Sequence, residues 1–293
     1  MKTITSVAAI EIVRALALAA STASAFCMVM LSFYILAFPF SLFYGRIPLE
    51  DWQVLSMVFG IALLPAVFVA KVPSVAAGNF DVIFAMRRPS QREMDLIGKV
   101  EAILRERSAV TGIKLPRIVW RVQDSREPNA CAYAHNRIGF TKGLLLQYGD
   151  TPSGIERLAG IAAHEVGHLR NWDTRVLMFL HYLNLPINLG IGLANGTVNR
   201  IPFFGLLFTA ITVVLRIPAS TAHLLNNSIS RLTEYEADLF AAHLMDGIGV
   251  SELLDDFTKM EDRKNDTFSA WLMRTHPPAE LRHETVLKLS QKN

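Results

Sequence analysis

A chain of 293 residues is long enough for one large domain or two small ones, and it is short of charge: 51% of its residues are hydrophobic and 19% charged, against about 25% charged in an ordinary soluble domain. The net charge of +3, with no basic run interleaved with aromatics, argues against nucleic acid as a partner. Cys27 lies in an apolar run and Cys131 in a polar one, so neither a disulfide framework nor a Cys-x-x-Cys metal site is expected.

The first apolar run, Ala15 to Tyr44, exceeds the roughly 20 residues that a helix needs to cross a bilayer. Ala23-Ser24-Ala25 resembles a leader cleavage site. Against a leader, Glu11 and Arg14 stand where only basic charge is wanted, and residues 26–44 would still span after the cut. The second run, Trp52 to Ala70, carries no charge, and the short loop Gly45 to Asp51 makes a hairpin of the two.

The polar sequence that follows changes period. Met94, Leu96, Ile97, Val100, Ile103 and Leu104 recur at helical spacing, predicting an amphipathic helix over Ser90 to Val110. Ile118, Trp120 and Val122 alternate with Arg117, Val119 and Arg121, predicting a strand over Arg117 to Gln123. Short strands are expected near Ala130–Tyr133 and Ile138–Thr141 around a turn at His135-Asn136, and a helix over Ser153 to Asn171. A third apolar run, Val176 to Ala194, and a fourth, beginning at Ile201 and meeting Arg216, read as a second membrane hairpin around Asn195–Arg200. A buried hairpin of a soluble domain is the alternative. The fourth run reaches only about 22 Å before its arginine, which could snorkel to the interface. Helices are expected over Asn227–Asp246, Ser251–Asp262 and Ala279–Leu289. Lys2 and Arg14 precede the first run, Lys71, Arg87, Arg88 and Arg92 follow the second, Arg170 and Arg175 precede the third and Arg231 follows the fourth. This bias puts both termini and the polar sequence on the cytoplasmic side.

His164-Glu165-Val166-Gly167-His168 is an H-E-x-x-H motif inside a predicted helix. Residues four apart share a helical face, so both imidazoles can point at one metal ion, with Glu165 beside them to take a proton from water. Neutral imidazole suits Zn²⁺, and two histidines leave room for a third protein ligand. An unpaired Glu165 would be costly on a face that also carries Leu158, Ile161 and Ala162. The residues after the motif, Leu169 to Asp173, lack the glycine and third histidine of a metzincin. Glu234 and Glu236 are candidate third ligands about 200° apart on a helix, so at most one faces the metal. Glu234 is preferred because Asp238 shares its face and could hold the other nitrogen of a liganding imidazole. His223 and His243 are weaker candidates.

The segments H-E-V-G-H-L-R-N-W-D, S-R-L-T-E-Y-E-A-D and T-H-P-P-A-E-L-R resemble the HtpX-type membrane metalloproteases, which are related to CAAX prenyl proteases and Oma-type mitochondrial proteases. The resemblance covers most of the chain. It implies zinc ligands at His164, His168 and Glu234, a general base at Glu165, and supporting roles for Asn171, Asp173 and Asp238. Pro128-Asn129-Ala130-Cys131-Ala132 is similar to the family's edge strand, which pairs with an extended peptide, so Asn129 and Ala130 are candidate substrate contacts; Cys131 replaces the usual aromatic. His276 and Arg282 match the C-terminal motif, where one of them would stabilise an oxyanion, unless His276 and Pro277 merely start a helix.

The fold class expected is α+β, mostly helical: a gluzincin-like zinc metalloprotease domain with a small sheet, plus about four transmembrane helices. Residues 1–72 form the first hairpin, 73–175 the first catalytic part, 176–225 the second hairpin and 226–293 the second catalytic part. The function expected is a zinc endopeptidase of the bacterial inner membrane, acting on unfolded or membrane proteins in quality control. A CAAX-type protease for prenylated peptides, a membrane scaffold with structural zinc, and a transporter using His181 and Asn184 are the alternatives. The partners implied are a peptide or protein substrate and the lipid bilayer.

Overall fold

The structure is a computed structural model that describes residues 4–45, 50–196 and 233–245. Its elements in chain order are α1 (Ile4–Tyr44), α2 (Asp51–Lys71), α3 (Pro73–Ile83), β1 (Met86–Arg87), α4 (Gln91–Thr111), β2 (Val119–Gln123), β3 (Ala130–Tyr133), β4 (Arg137–Thr141), α5 (Lys142–Tyr148), α6 (Pro152–Arg170), α7 (Asp173–Leu183) and α8 (Leu185–Gly196). A further helix, α9, covers residues 233–245. The fourth apolar run, the segments 251–262 and 279–289 for which helices are expected, His223, His276 and Arg282 lie outside the described residues. Two compact units divide the chain, one within Met1–Val72 and Leu177–Ile229, the other within Pro73–Val176 and Ser230–Asn293.

In the first unit α1 packs on α2 and α8. Ala17, Ser21, Ser24, Ala25 and Met28 line the buried side of α1, and Val58, Ala62, Ala66 and Val69 that of α2. Small side chains at helical spacing let two backbones approach closely, which is how helices associate where lipid supplies no hydrophobic drive. The outward side is also apolar: Leu16, Leu55, Phe59, Leu64 and Phe68 are exposed. A helix apolar all round belongs in a core or a membrane. Glu11–Leu31 and Asp51–Lys71 are long and apolar enough to cross a bilayer. The third run is not one helix, because α7 ends at Leu183 and α8 begins at Leu185. Pro186 explains the break: its nitrogen has no proton for the Tyr182 carbonyl, and its ring crowds that carbonyl.

In the second unit, Ser90 caps α4. Its side chain accepts from the Glu93 amide at 3.5 Å while Glu93 accepts from the Ser90 amide at 2.7 Å. The strands form one mixed sheet in the order β1-β2-β4-β3. β2 runs parallel to β4, whereas β1 on β2 and β3 on β4 are antiparallel. The chain therefore leaves β2, passes beyond the place of β4, lays down β3 as an edge and turns back. Ala134, with φ of +54°, sits in that tight return. Trp120, Val122, Ile138 and Phe140 face the core. There they meet Ile97, Val100 and Leu104 of α4, Leu144 of α5, Leu158, Ala162 and Val166 of α6, and Ala241 and Leu244 of α9. Emptying a fully buried site such as Phe140 to alanine costs about 3–5 kcal/mol. The sequence pattern does not predict α3, β1 or α5; β1 is two residues long and α5 seven.

Candidate metal centre

The site is built on α6. Thr151 caps it, accepting from the Gly154 amide at 3.1 Å, and Pro152 opens its first turn, where a missing N–H costs nothing. Of its side chains, Leu158, Ala162, Ala163, Val166 and Leu169 are buried, so α6 is gripped along its length. His164 and His168 emerge one turn apart with their rings at 87° to each other.

α9 supplies the carboxylates, and it comes close because of Gly167. A Cβ on Gly167 would lie 2.8 Å from the Ala237 Cα. At that approach Glu234, 2% exposed, reaches both imidazoles: its oxygens stand 3.3 Å from His164 Nε2 and 3.3 Å from His168 Nε2. The two Nε2 atoms are 3.2 Å apart. Behind them, Asp238 Oδ1 lies 2.8 Å from His164 Nδ1, and Asp173 Oδ2 lies 3.0 Å from His168 Nδ1. Asp173 gets there because Trp172 adopts a left-handed φ of +66° just past the end of α6, its ring covered by Arg175 at 4.4 Å. Asn171 caps α6 through its own amide, which donates to the Gly167 carbonyl at 3.0 Å.

This geometry suits a divalent ion. Two Nδ1 atoms that donate to carboxylates leave both Nε2 lone pairs, and the Glu234 carboxylate, aimed at one point. Zinc bonds of about 2.0 Å at tetrahedral angles separate ligand atoms by roughly 3.3 Å, which is the spacing of these donors. Charge points the same way. Burial disfavours a proton on either ring, yet Asp238 and Glu234 around His164, and Asp173 and Glu234 around His168, outweigh it and hold both pKa values above the ordinary histidine range. The pocket calls for positive charge.

Glu165 is buried beside the pair but turned towards the sheet, where an oxygen accepts from the Ala132 amide at 2.5 Å. Ala132 lies on β3, the edge strand. Asn129 is tied to Thr141, its amide donating to the Thr141 hydroxyl at 2.8 Å and its carbonyl accepting from the Thr141 amide at 2.9 Å. Backbone groups alternate sides along a strand, so Ala130 and Ala132 present theirs to the open edge. The side chain of Asn129 accepts from the Ala130 amide at 2.9 Å. Burial, with the Glu165 charge adding to it, pushes the Cys131 thiol up to about 12, so it is no thiolate ligand at neutral pH.

Of the sequence candidates, then, His164, His168, Glu234, Asp238 and Asp173 converge, with Glu165 alongside and Asn129 and Ala130 on the neighbouring edge. Among the described residues, Glu236 is half-buried and His243 exposed, and neither belongs to the cluster. The Ala132 amide and Gly167 escaped the sequence reading. Ala132 was accessible as the second residue after Ala130 on the same side of the strand, Gly167 as the smallest residue of the motif.

A helix bearing two histidines and a glutamate, completed by a glutamate from a second helix beside a sheet edge, defines a metalloprotease. The model of peptidase family M48 matches residues 95–290, and the chain belongs to that family, among its HtpX-type members. It is 25% identical over 245 residues to the "Protease HtpX homolog" of Limosilactobacillus fermentum, covering 78% of this chain and 80% of that one. The protein of the same name from Acidiphilium cryptum is 31% identical over 185 residues, 58% of this chain and 61% of that one. That from Ligilactobacillus salivarius is 25% identical over 259 residues, 76% of this chain and 84% of that one.

Proposed function

We propose that the chain is a zinc endopeptidase that cuts extended segments of unfolded or membrane proteins, with zinc held by His164, His168 and Glu234. The observation that carries this reading is the convergence of two imidazole Nε2 atoms and the Glu234 carboxylate at 3.2–3.3 Å from two helices. Zinc held by these three residues would supply a Lewis acid for the carbonyl and lower the pKa of water to about 7. The residues do the rest. Asp238 and Asp173 keep the Nδ1 protons in place, so the Nε2 atoms stay free to bind. Glu165 takes a proton at its carboxylate and hands it to the leaving amine. The Ala132 amide fixes the carboxylate's orientation. The edge of β3, where Ala130 and Ala132 face outward beside the Asn129 side chain, aligns the peptide by backbone pairing. His276 or Arg282 stabilises the oxyanion, a role that rests on the sequence pattern alone.

The wider organisation belongs to the same proposal. Residues 1–72 and 176–225 form two membrane hairpins, and 73–175 with 226–293 form a gluzincin-like catalytic domain in the cytoplasm of a bacterial cell, serving quality control of membrane proteins. Lysine and arginine on the polar flanks of the apolar runs support that orientation.

The test is hydrolysis of an unfolded protein such as casein by detergent-purified wild type and Glu165→Gln. A general base contributes about 10²–10⁴-fold, so the variant should lose that much rate and keep its zinc. Cleavage at near wild-type rate in Glu165→Gln would overturn the mechanism. Full zinc with no cleavage in the wild type would point to a scaffold.

A further inference from the structure

One carboxylate ties three strands of the sheet together. Asp81, in the last turn of α3, accepts from Tyr133 Oη on β3 at 2.7 Å through Oδ1. Through Oδ2 it accepts from Arg121 Nε on β2 at 3.0 Å and from Arg137 Nη1 on β4. The cluster is well shielded, with the Asp81 side chain 17% exposed. Tyr133 is also braced by its ring, which meets Phe84 edge-on at 5.5 Å, and Phe84 stacks on Phe80 of α3. Burial and the adjoining Asp81 charge both hold the phenol protonated, so Tyr133 remains a donor.

The edge strand depends on this tether. β3 is four residues long and, among the described residues, has a partner strand on one side, β4. Its N-terminal end is pinned by the Asn129–Thr141 pair. Its C-terminal end is pinned by Tyr133. Between the pins lie Ala130, whose amide donates to the Asn129 side chain, and Ala132, whose amide donates to Glu165.

We infer that Asp81 is a positioning residue for substrate: acting through the Tyr133 hydroxyl, it fixes the height of β3 against Glu165 and so sets affinity for peptides long enough to pair with that edge. This rests on the reading of β3 as the substrate strand. A peptide gains from a rigid edge because the edge has no ordering left to do on binding. Releasing one pin restores that cost for long substrates and leaves the metal donors on α6 and α9 in place.

The experiment compares two synthetic peptides, one too short to pair with β3 and one extended by four residues, on zinc-loaded wild type, Tyr133→Phe and Asp81→Asn. Tyr133→Phe keeps the ring and removes one hydrogen bond to a charged group, so it remains informative if Asp81→Asn folds poorly. The expected result is a KM for the long peptide raised about five- to tenfold in Tyr133→Phe, with zinc content and the short-peptide KM unchanged; any loss of kcat passed on through the Ala132–Glu165 contact is shared by both peptides. An unchanged long-peptide KM, or equal KM effects on both peptides, overturns the proposal. If the wild type itself gains nothing from the longer peptide, the substrate-strand reading falls and takes the proposal with it.

Discussion

At His164 and His168 the ring nitrogen facing away from the cluster decides what the other can do. A carboxylate accepting from Nδ1 leaves Nε2 as a lone pair; without it the tautomers compete and the ring can turn. Such supporting contacts are worth about 10–100-fold in metal affinity. Asp238→Ala should therefore weaken zinc binding by roughly 10–100-fold, measured by chelator competition, while the protein stays folded. A change below about threefold would mean that α6 packing alone orients His164. Legibility differed between these two aspartates. Asp238 follows Glu234 by four residues on a helix, and periodicity places it. Asp173 reaches His168 only because Trp172 reverses the chain at a φ of +66°. Helical spacing says nothing of such a turn, and only the resemblance suggested a role for Asp173.

Among elements, the contact of α6 with α9 sets the width of the centre. Gly167→Ala would bring a Cβ to 2.8 Å from the Ala237 Cα, backbone rather than a movable side-chain end. α9 must then shift, carrying Glu234 with it. We expect zinc content to fall while helix content by circular dichroism stays near wild type; full zinc loading in Gly167→Ala would show that the helices adjust at no cost to the site. A second element contact makes stability depend on acid. Hydrogen bonds from Arg87 at 2.8 Å, aided by the Ser90 cap, hold the Glu93 carboxyl at about 2, below the ordinary value near 4.5. That stabilisation is complete above pH 4.5 and is lost as pH falls from there towards 2. The melting temperature should drop across that window, and Arg87→Met should flatten the drop while costing about 1 kcal/mol at neutral pH. An equally steep acid limb in Arg87→Met would assign it to other carboxylates. The helices α4 and α6 were legible because long periodic segments announce themselves. The strand order was not, because parallel pairing of β2 with β4 follows from packing that no local pattern records.

Across the whole molecule, α1 and α2 were legible from composition, since an apolar run of that length has few other uses. The third run was less so: its apolar content suggested one span, and Pro186 divides it at Asn184. The proposed orientation predicts that a reporter near Gln91 reads cytoplasmic and one at Gly196 reads the opposite side. A cytoplasmic signal at Gly196 would remove the second hairpin from the membrane without touching the metal site. The claim on which the rest stands is that two helices close one zinc centre through Glu234. Zinc per chain, measured by mass spectrometry on wild type, Glu234→Ala and Glu236→Ala, tests it most directly. The account predicts about one zinc in wild type and in Glu236→Ala and a loss in Glu234→Ala; zinc retained in Glu234→Ala and lost in Glu236→Ala would contradict it.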